Sequence, residues 1–181
     1  QAQGYRVART WEEVGALPPG KTLAVTAPGN LPPPSKRGDV FRQAALKALD
    51  TLSRNPKGFF LMIEGSNIDK AAHSNNLEEM MEELLDFDRA AGAVLDWASK
   101  HPGTLVVITA DHNTGAFALT GGSREKGEIT ARFGSGSHDG VAVPVYAFGA
   151  GSGAFTGIYE NTDIFNKIMN ALKKGADKPV R

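Results

Sequence analysis

Along the chain, consecutive apolar runs of the kind that form strands alternate with apolar residues spaced three and four apart, as on one face of a helix. That succession predicts an α/β fold, a mainly parallel sheet flanked by helices. Thr22–Thr26 reads as a short buried strand ending at Pro28-Gly29-Asn30. Leu31–Lys36 follows with three consecutive prolines and reads as an ordered loop, since proline lacks the N–H that helices and central strands require. From Asp39, a plausible N-cap, Val40, Phe41, Ala44, Ala45, Ala48, Leu49 and Leu52 trace one face of a helix that closes at Asn55-Pro56. Phe59–Ile63 is apolar at every position, as a strand covered on both faces must be, and stops at Glu64-Gly65-Ser66. Leu77, Met80, Met81, Leu84, Leu85, Ala91, Val94, Leu95 and Ala98 predict a long helix with one apolar stripe. A second buried strand, Thr104–Thr109, ends at Asp111-His112. Residues 121–140 read as a glycine-rich loop, Val143–Phe148 as a third strand, Asp163–Leu172 as a closing helix, and 174–181 as a frayed tail.

Composition narrows this picture. A chain of 181 residues fits a single domain on a prior of roughly 100–200 residues per domain. With Lys plus Arg equal to Asp plus Glu, at 20 each, no overall positive field exists to attract a phosphate backbone, so no nucleic-acid partner is expected. The absence of cysteine removes disulfides, thiolate zinc sites and thiol nucleophiles. No apolar run approaches the roughly 20 residues of a membrane span, and the first residues lack the succession of a signal peptide. The first residue is not methionine, from which a processed product or part of a longer protein is expected.

Candidate chemistry gathers where strands should end. Glu64 follows one apolar run, and Asp111 and His112 follow the next; in open parallel sheets those ends border the ligand crevice. Asp69 and His73 are spaced i,i+4, which on a helical turn brings their Cβ atoms to about 5–6 Å. They could share one ion or form a surface ion pair, and the spacing leaves both open. His73, His112 and His138 fall in loop or strand-end positions, whereas His101 follows Lys100 at a helix end, where a cation interacts favourably with the helix dipole. Acids and histidines without cysteine suit a hydrolytic zinc site more than a structural one. Glu64, offering only oxygen, suits magnesium. Five or six ligands exceed one tetrahedral zinc, and two ions about 3.5–4 Å apart could clamp the attacking and leaving oxygens of a phosphoryl group. Phosphoryl transfer is the reaction class these residues predict.

At these residues the sequence resembles the alkaline phosphatase family. Phe59-Phe60-Leu61-Met62-Ile63-Glu64-Gly65-Ser66-Asn67-Ile68-Asp69-Lys70-Ala71-Ala72-His73 is similar to the family's strand-to-helix motif. Val107-Ile108-Thr109-Ala110-Asp111-His112 resembles its second-zinc segment, and Ser137-His138-Asp139-Gly140, ahead of Val143-Pro144-Val145-Tyr146-Ala147, resembles the segment supplying the third ligand of the first zinc. The motifs occur in family order, and the resemblance runs from about Gly4 to Leu172. It implies an alkaline-phosphatase-like fold, two zinc ions and one magnesium ion, and a phosphate monoester substrate. By the same resemblance Asp69, His73 and His138 hold one zinc, Asp111 and His112 the second, and Glu64 the magnesium, while Lys70 binds phosphate. A periplasmic or secreted location is implied as well.

Nothing in the chain resembles the family's nucleophile segment. The serine nucleophile, the phosphate-clamping arginine and an aspartate bridging the second zinc and magnesium belong to an N-terminal portion of the family, so no catalytic nucleophile is assigned here. Ser135 and Ser137 read as turn formers. The expectation is therefore the C-terminal, incomplete part of a phosphomonoesterase, inactive as an isolated chain. Its uncovered apolar surface would be met by the missing N-terminal portion or by a homo-oligomer partner. The alternative is a non-catalytic metal-binding or structural module. The stretch from His112 to His138 is too short for the extra domain many members insert there, and phosphoglycerate mutases and sulfatases are less similar over Glu64–His73.

Overall fold

The computed structural model describes residues 3–18 and 20–176. They pack as two compact units: one takes the chain to Ile68 and adds Glu78–Ala90, and the other takes Asp69–Leu77 and the chain from Ala91. No helix among the described residues is long and apolar enough to cross a membrane.

In the first unit, β1 (Arg6–Ala8) pairs in parallel with β2 (Thr22–Ala24), with Val7 opposite Leu23. Between them lies α1 (Trp11–Ala16), opened by a capping box in which the Thr10 side chain accepts from the Glu13 amide and the Glu13 carboxylate accepts from the Thr10 amide. Sequence periodicity passed over α1 because the helix is too short to show a period; the T-x-x-E spacing was the available signal. The strand expected over Thr22–Thr26 is shorter and lies exposed rather than buried. The triple proline does not exclude a helix either: α2 (Pro34–Arg37) begins on Pro34, where the missing N–H is one no helix uses. α3 (Val40–Leu52) buries Ala45 and Leu49 as its spacing predicts, but Asp39 makes no side-chain cap. Its carboxylate accepts instead from Arg42 Nε at 2.8 Å.

The expected central strand Phe59–Ile63 forms no ladder among the described residues. Its burial alternates with a period of two, as one covered face of an extended segment requires, and leaves Phe60 62% and Met62 75% exposed. Beyond it come α4 (Asn67–His73) and the long α5 (Leu77–Ser99). Within the first unit, α5 carries buried Met80, Glu83, Asp86 and Ala90, whereas Leu84 and Leu85 are exposed. The buried acids are matched by Arg37, which donates to both Glu83 oxygens and to Asp86 Oδ2. Burial would lower the Arg37 pKa, but the hydrogen bonds to Glu83 and Asp86 outweigh it and raise the pKa above the ordinary value. Glu83 also accepts from Asn67 Nδ2 at 3.2 Å.

In the second unit, β3 (Leu105–Thr109) pairs with β8 (Val145–Gly149), and the pairing is antiparallel, Val107 opposite Ala147. The mainly parallel sheet read from the sequence is not what forms: β1–β2 is the one parallel pair among the described strands, and each sheet has two strands. The reason lies in the connection. The chain leaves β3, makes an excursion and re-enters at the same end, so β8 must run back along β3. Within that excursion, β4 (Asn113–Thr114) pairs with β7 (His138–Asp139), and β5 (Ala118–Ser123) with β6 (Glu128–Arg132). The segment expected as a glycine-rich loop, 121–140, is thus largely a hairpin. A 3₁₀ turn (Ser152–Phe155) buries Phe155 ahead of α6 (Asp163–Ala176). Of the expected frayed tail, residues 174–176 complete α6 and 177–181 lie outside the described residues.

Candidate metal centre

α4 brings Asp69 and His73 onto one face of a single helical turn, as the i,i+4 spacing dictates. His138 reaches them from β7, where it lies opposite Thr114 of β4. The close approach of β4 to α4 depends on Gly115. Its φ of +78° suits glycine, and a Cβ there would stand 2.9 Å from Phe133 and 3.1 Å from the Ala72 carbonyl. Asp139 fixes the β4–β7 pair from the other side. Its carboxylate accepts from the Val141 amide at 3.1 Å, the Asn113 side chain at 2.9 Å and the Ala116 amide at 2.9 Å. The Val141 and Asn113 hydrogen bonds hold its pKa below the ordinary carboxylate value.

The ligand-type atoms of Asp69, His73 and His138 all lie within 4.8 Å of one another. His73 Nδ1 donates to the Gly136 carbonyl at 2.7 Å, which leaves its Nε2 as a lone pair facing His138 Nε2 at 3.0 Å and Asp69 Oδ2 at 3.4 Å. The second Asp69 oxygen is 3.5 Å from His138 Nε2. Two ligands on a tetrahedral zinc with bonds near 2.0–2.1 Å stand about 3.3 Å apart. The His73–His138 separation of 3.0 Å and the His73–Asp69 Oδ2 separation of 3.4 Å are near that value, while the 3.5 Å approach to His138 is made by the other Asp69 oxygen, so one ion would draw the three residues closer together than they stand.

Asp111 and His112 follow β3. The Asp111 carboxylate is exposed, with Oδ2 3.1 Å from His112 Nε2. The His112 ring stacks on that of His138, with centroids 3.6 Å apart. His112 Nδ1 lies 3.2 Å from the Thr114 hydroxyl, which donates to Asp69 Oδ1 at 2.6 Å. The two groups of candidate ligands are therefore in direct contact, and both belong to the second unit. Glu64 belongs to the first unit, on the wall of a cavity of about 220 Å³ shared with Asn30, Arg37, Asn67 and Glu83. Lys70 is exposed on α4 beside Asp69. His101 stays away from this chemistry, donating from Nδ1 to the Trp97 carbonyl at 2.7 Å and stacking on the Trp97 ring. Ser135 and Ser137 bond each other in a turn: the Ser137 amide donates to Ser135 Oγ, which donates to the Ser137 carbonyl. Sequence reasoning missed Thr114, Asn113 and Asp139, whose partners are fixed only by strand pairing.

Comparison with known proteins gives this arrangement a context. A family model described as alkaline phosphatase matches residues 33–133. The chain is 29% identical to alkaline phosphatase 4 of Bacillus subtilis, over 95% of this chain and 52% of that protein. It is 31% identical to the streptomycin-6-phosphate phosphatase of Streptomyces griseus, over 95% of this chain and 49% of that protein. It therefore spans about half the length of these relatives. Among solved structures, the alkaline phosphatase of the Antarctic bacterium TAB5 superposes with a TM-score of 0.83 at 34% identity, covering 95% of this chain and 53% of that one. A variant of the TAB5 enzyme has been solved with magnesium in its M3 site. The fold is accordingly the mixed α/β fold of those enzymes, and the chain belongs to the alkaline phosphatase family.

Proposed function

We propose that this chain supplies the metal-holding part of a phosphomonoesterase, with Asp69, His73 and His138 on one zinc and Asp111 and His112 on a second. The observation that carries the reading is the convergence of Asp69, His73 and His138, one ligand-type atom from each lying within 4.8 Å of the others. The hydrogen bonding around it points the same way. With His73 Nδ1 donating to Gly136, the Nε2 lone pair faces a carboxylate and a second imidazole, a set of acceptors that a cation would satisfy. A pair of zinc ions, when bound, supplies concentrated positive charge for the oxygens of a phosphoryl group in line.

The chain's own residues then have definable tasks. Gly136 fixes the tautomer and plane of His73, Asp139 fixes the strand that presents His138, and Lys70, beside Asp69, offers a cation to the phosphate. Glu64 is assigned to magnesium on its oxygen-only chemistry and its motif, in keeping with the magnesium seen in the TAB5 relative. The nucleophile belongs to polypeptide other than these residues. The exposed Phe60 and Met62 support a further segment or subunit packing there. A periplasmic or secreted location is part of the proposal, and cell fractionation checks it.

Metal analysis tests the assignment. Asp69→Ala and His73→Ala should each remove the same equivalent of zinc, and Asp111→Asn a different one. Equal loss of all metal in every variant would contradict two separable sites. The chain alone should hydrolyse an aryl phosphate far below the ~10 per second of an ordinary enzyme, because the covalent route is missing. Turnover at that pace would contradict the division of labour.

A further inference from the structure

One buried hydroxyl touches both groups of candidate ligands. Thr114 is 7% exposed, and its Oγ1 stands 2.6 Å from Asp69 Oδ1 and 3.2 Å from His112 Nδ1. A threonine hydroxyl has one proton to give, and an ionised carboxylate can only accept. The proton of Thr114 therefore goes to Asp69, and the hydroxyl must accept from His112. That direction makes Nδ1 the protonated nitrogen of His112, so its Nε2 presents a lone pair on the side of Asp111, whose Oδ2 is 3.1 Å away. The same hydroxyl occupies Asp69 Oδ1 and leaves Oδ2 on the side of His73, 3.4 Å from Nε2.

We propose that Thr114 is a positioning residue shared by the two centres: one hydroxyl orients His112 for one ion and Asp69 for the other. The inference rests on the two-zinc reading above and adds that the centres are not independent. Its strand setting reinforces the role. Thr114 lies opposite His138 in the β4–β7 ladder, and the neighbouring pair, Asn113 opposite Asp139, is locked by the Asn113 amide on the Asp139 carboxylate. The hydroxyl is thus held on a short, tied strand between the ligands that it orients. Groups that orient metal ligands in this way set affinity although they never touch the metal.

The test compares Thr114→Val, which keeps the shape and removes the hydroxyl, with Thr114→Ser, which restores it, in the full chain. Zinc affinity is read by competition with a chromophoric chelator, and the geometry of each centre by the absorption spectrum of the cobalt-substituted protein. Thr114→Val should weaken both equivalents of zinc by about 10- to 100-fold, with Thr114→Ser within about threefold of wild type. The cobalt spectrum should change in the valine variant and recover in the serine variant. Two equivalents bound by Thr114→Val with wild-type affinities would overturn the inference and leave the two-zinc reading standing. A wild-type chain that binds no zinc would overturn both. Should the valine variant fail to fold, nitrogen-15 NMR of zinc-loaded wild type decides: a proton on His112 Nδ1 is expected, and a metal-bound Nδ1 overturns the role.

Discussion

His73 illustrates how single residues make this site. A backbone carbonyl takes one ring nitrogen and leaves the other for the cluster, so the helical spacing alone would not have fixed the tautomer. Gly115 is as decisive without bearing any functional group. Gly115→Ala would combine a left-handed backbone with a Cβ pressed against Phe133 and the Ala72 carbonyl, and should cost about 1–3 kcal/mol of stability. Because β4 would be pushed from α4, zinc affinity should fall with it; denaturant melts and chelator competition on the same protein check both. The candidate ligands stood out in the sequence because their types and spacing carry chemistry: Asp69 and His73 four apart, Asp111 beside His112. Thr114 and Asp139 did not, because a threonine just past a strand end or an aspartate in a glycine-rich stretch reads as a turn former until strand pairing shows what it faces. Asp39 shows the same limit. Read as a helix cap, it pairs with Arg42 instead, whose hydrogen bond holds the Asp39 pKa below the ordinary value. A depressed carboxylate pKa contributes stability above the unfolded value of about 3.9, and that contribution is lost as pH falls through the folded value. Asp39→Asn should therefore flatten the acid limb of the stability curve slightly, by under about 1 kcal/mol for so exposed a pair, and acid titration of unfolding measures it.

Among the elements, α5 departs most instructively from its pattern. The apolar stripe correctly gives the helix and its length, but the face it buries in the first unit includes Glu83 and Asp86, while Leu84 and Leu85 are exposed. Periodicity could not show this, because the cation that makes the burial tolerable is Arg37, far away in sequence on a one-turn helix that the prolines disguise. Side chains of Arg37, Glu83 and Asp86 are all 6% exposed or less. Arg37→Met would leave the buried Glu83 without a cation and Asp86 with Arg89 alone, and should cost about 3 kcal/mol. Replacing all three together with apolar residues of similar volume should cost markedly less. Urea unfolding of both variants checks the contrast; equal losses would mean that packing around Arg37, rather than charge pairing, holds α2 to α5. The strands were legible as elements but not as neighbours: β3 and β8 fall where apolar runs predict them, yet their antiparallel pairing follows from the excursion between them.

For the molecule as a whole, the apolar runs remain visible on the surface. Phe60 and Met62 in the first unit, and Tyr146, Phe148 and Phe165 in the second, are exposed, although the sequence reads as a sheet covered on both faces. The chain spans about half the length of the relatives it matches. Alone, it should bind a hydrophobic dye or self-associate, and Phe60→Ser with Met62→Ser should reduce both; light scattering and dye fluorescence give the answer, and an unchanged signal would exonerate that face. The pair of zinc sites is the premise on which every assigned role rests. Anomalous diffraction at the zinc edge from crystals grown with zinc tests it most directly. Two peaks about 4 Å apart are predicted, one among Asp69, His73 and His138 and the other against Asp111 and His112. A single peak shared by all five residues, or none within bonding distance of them, would contradict it.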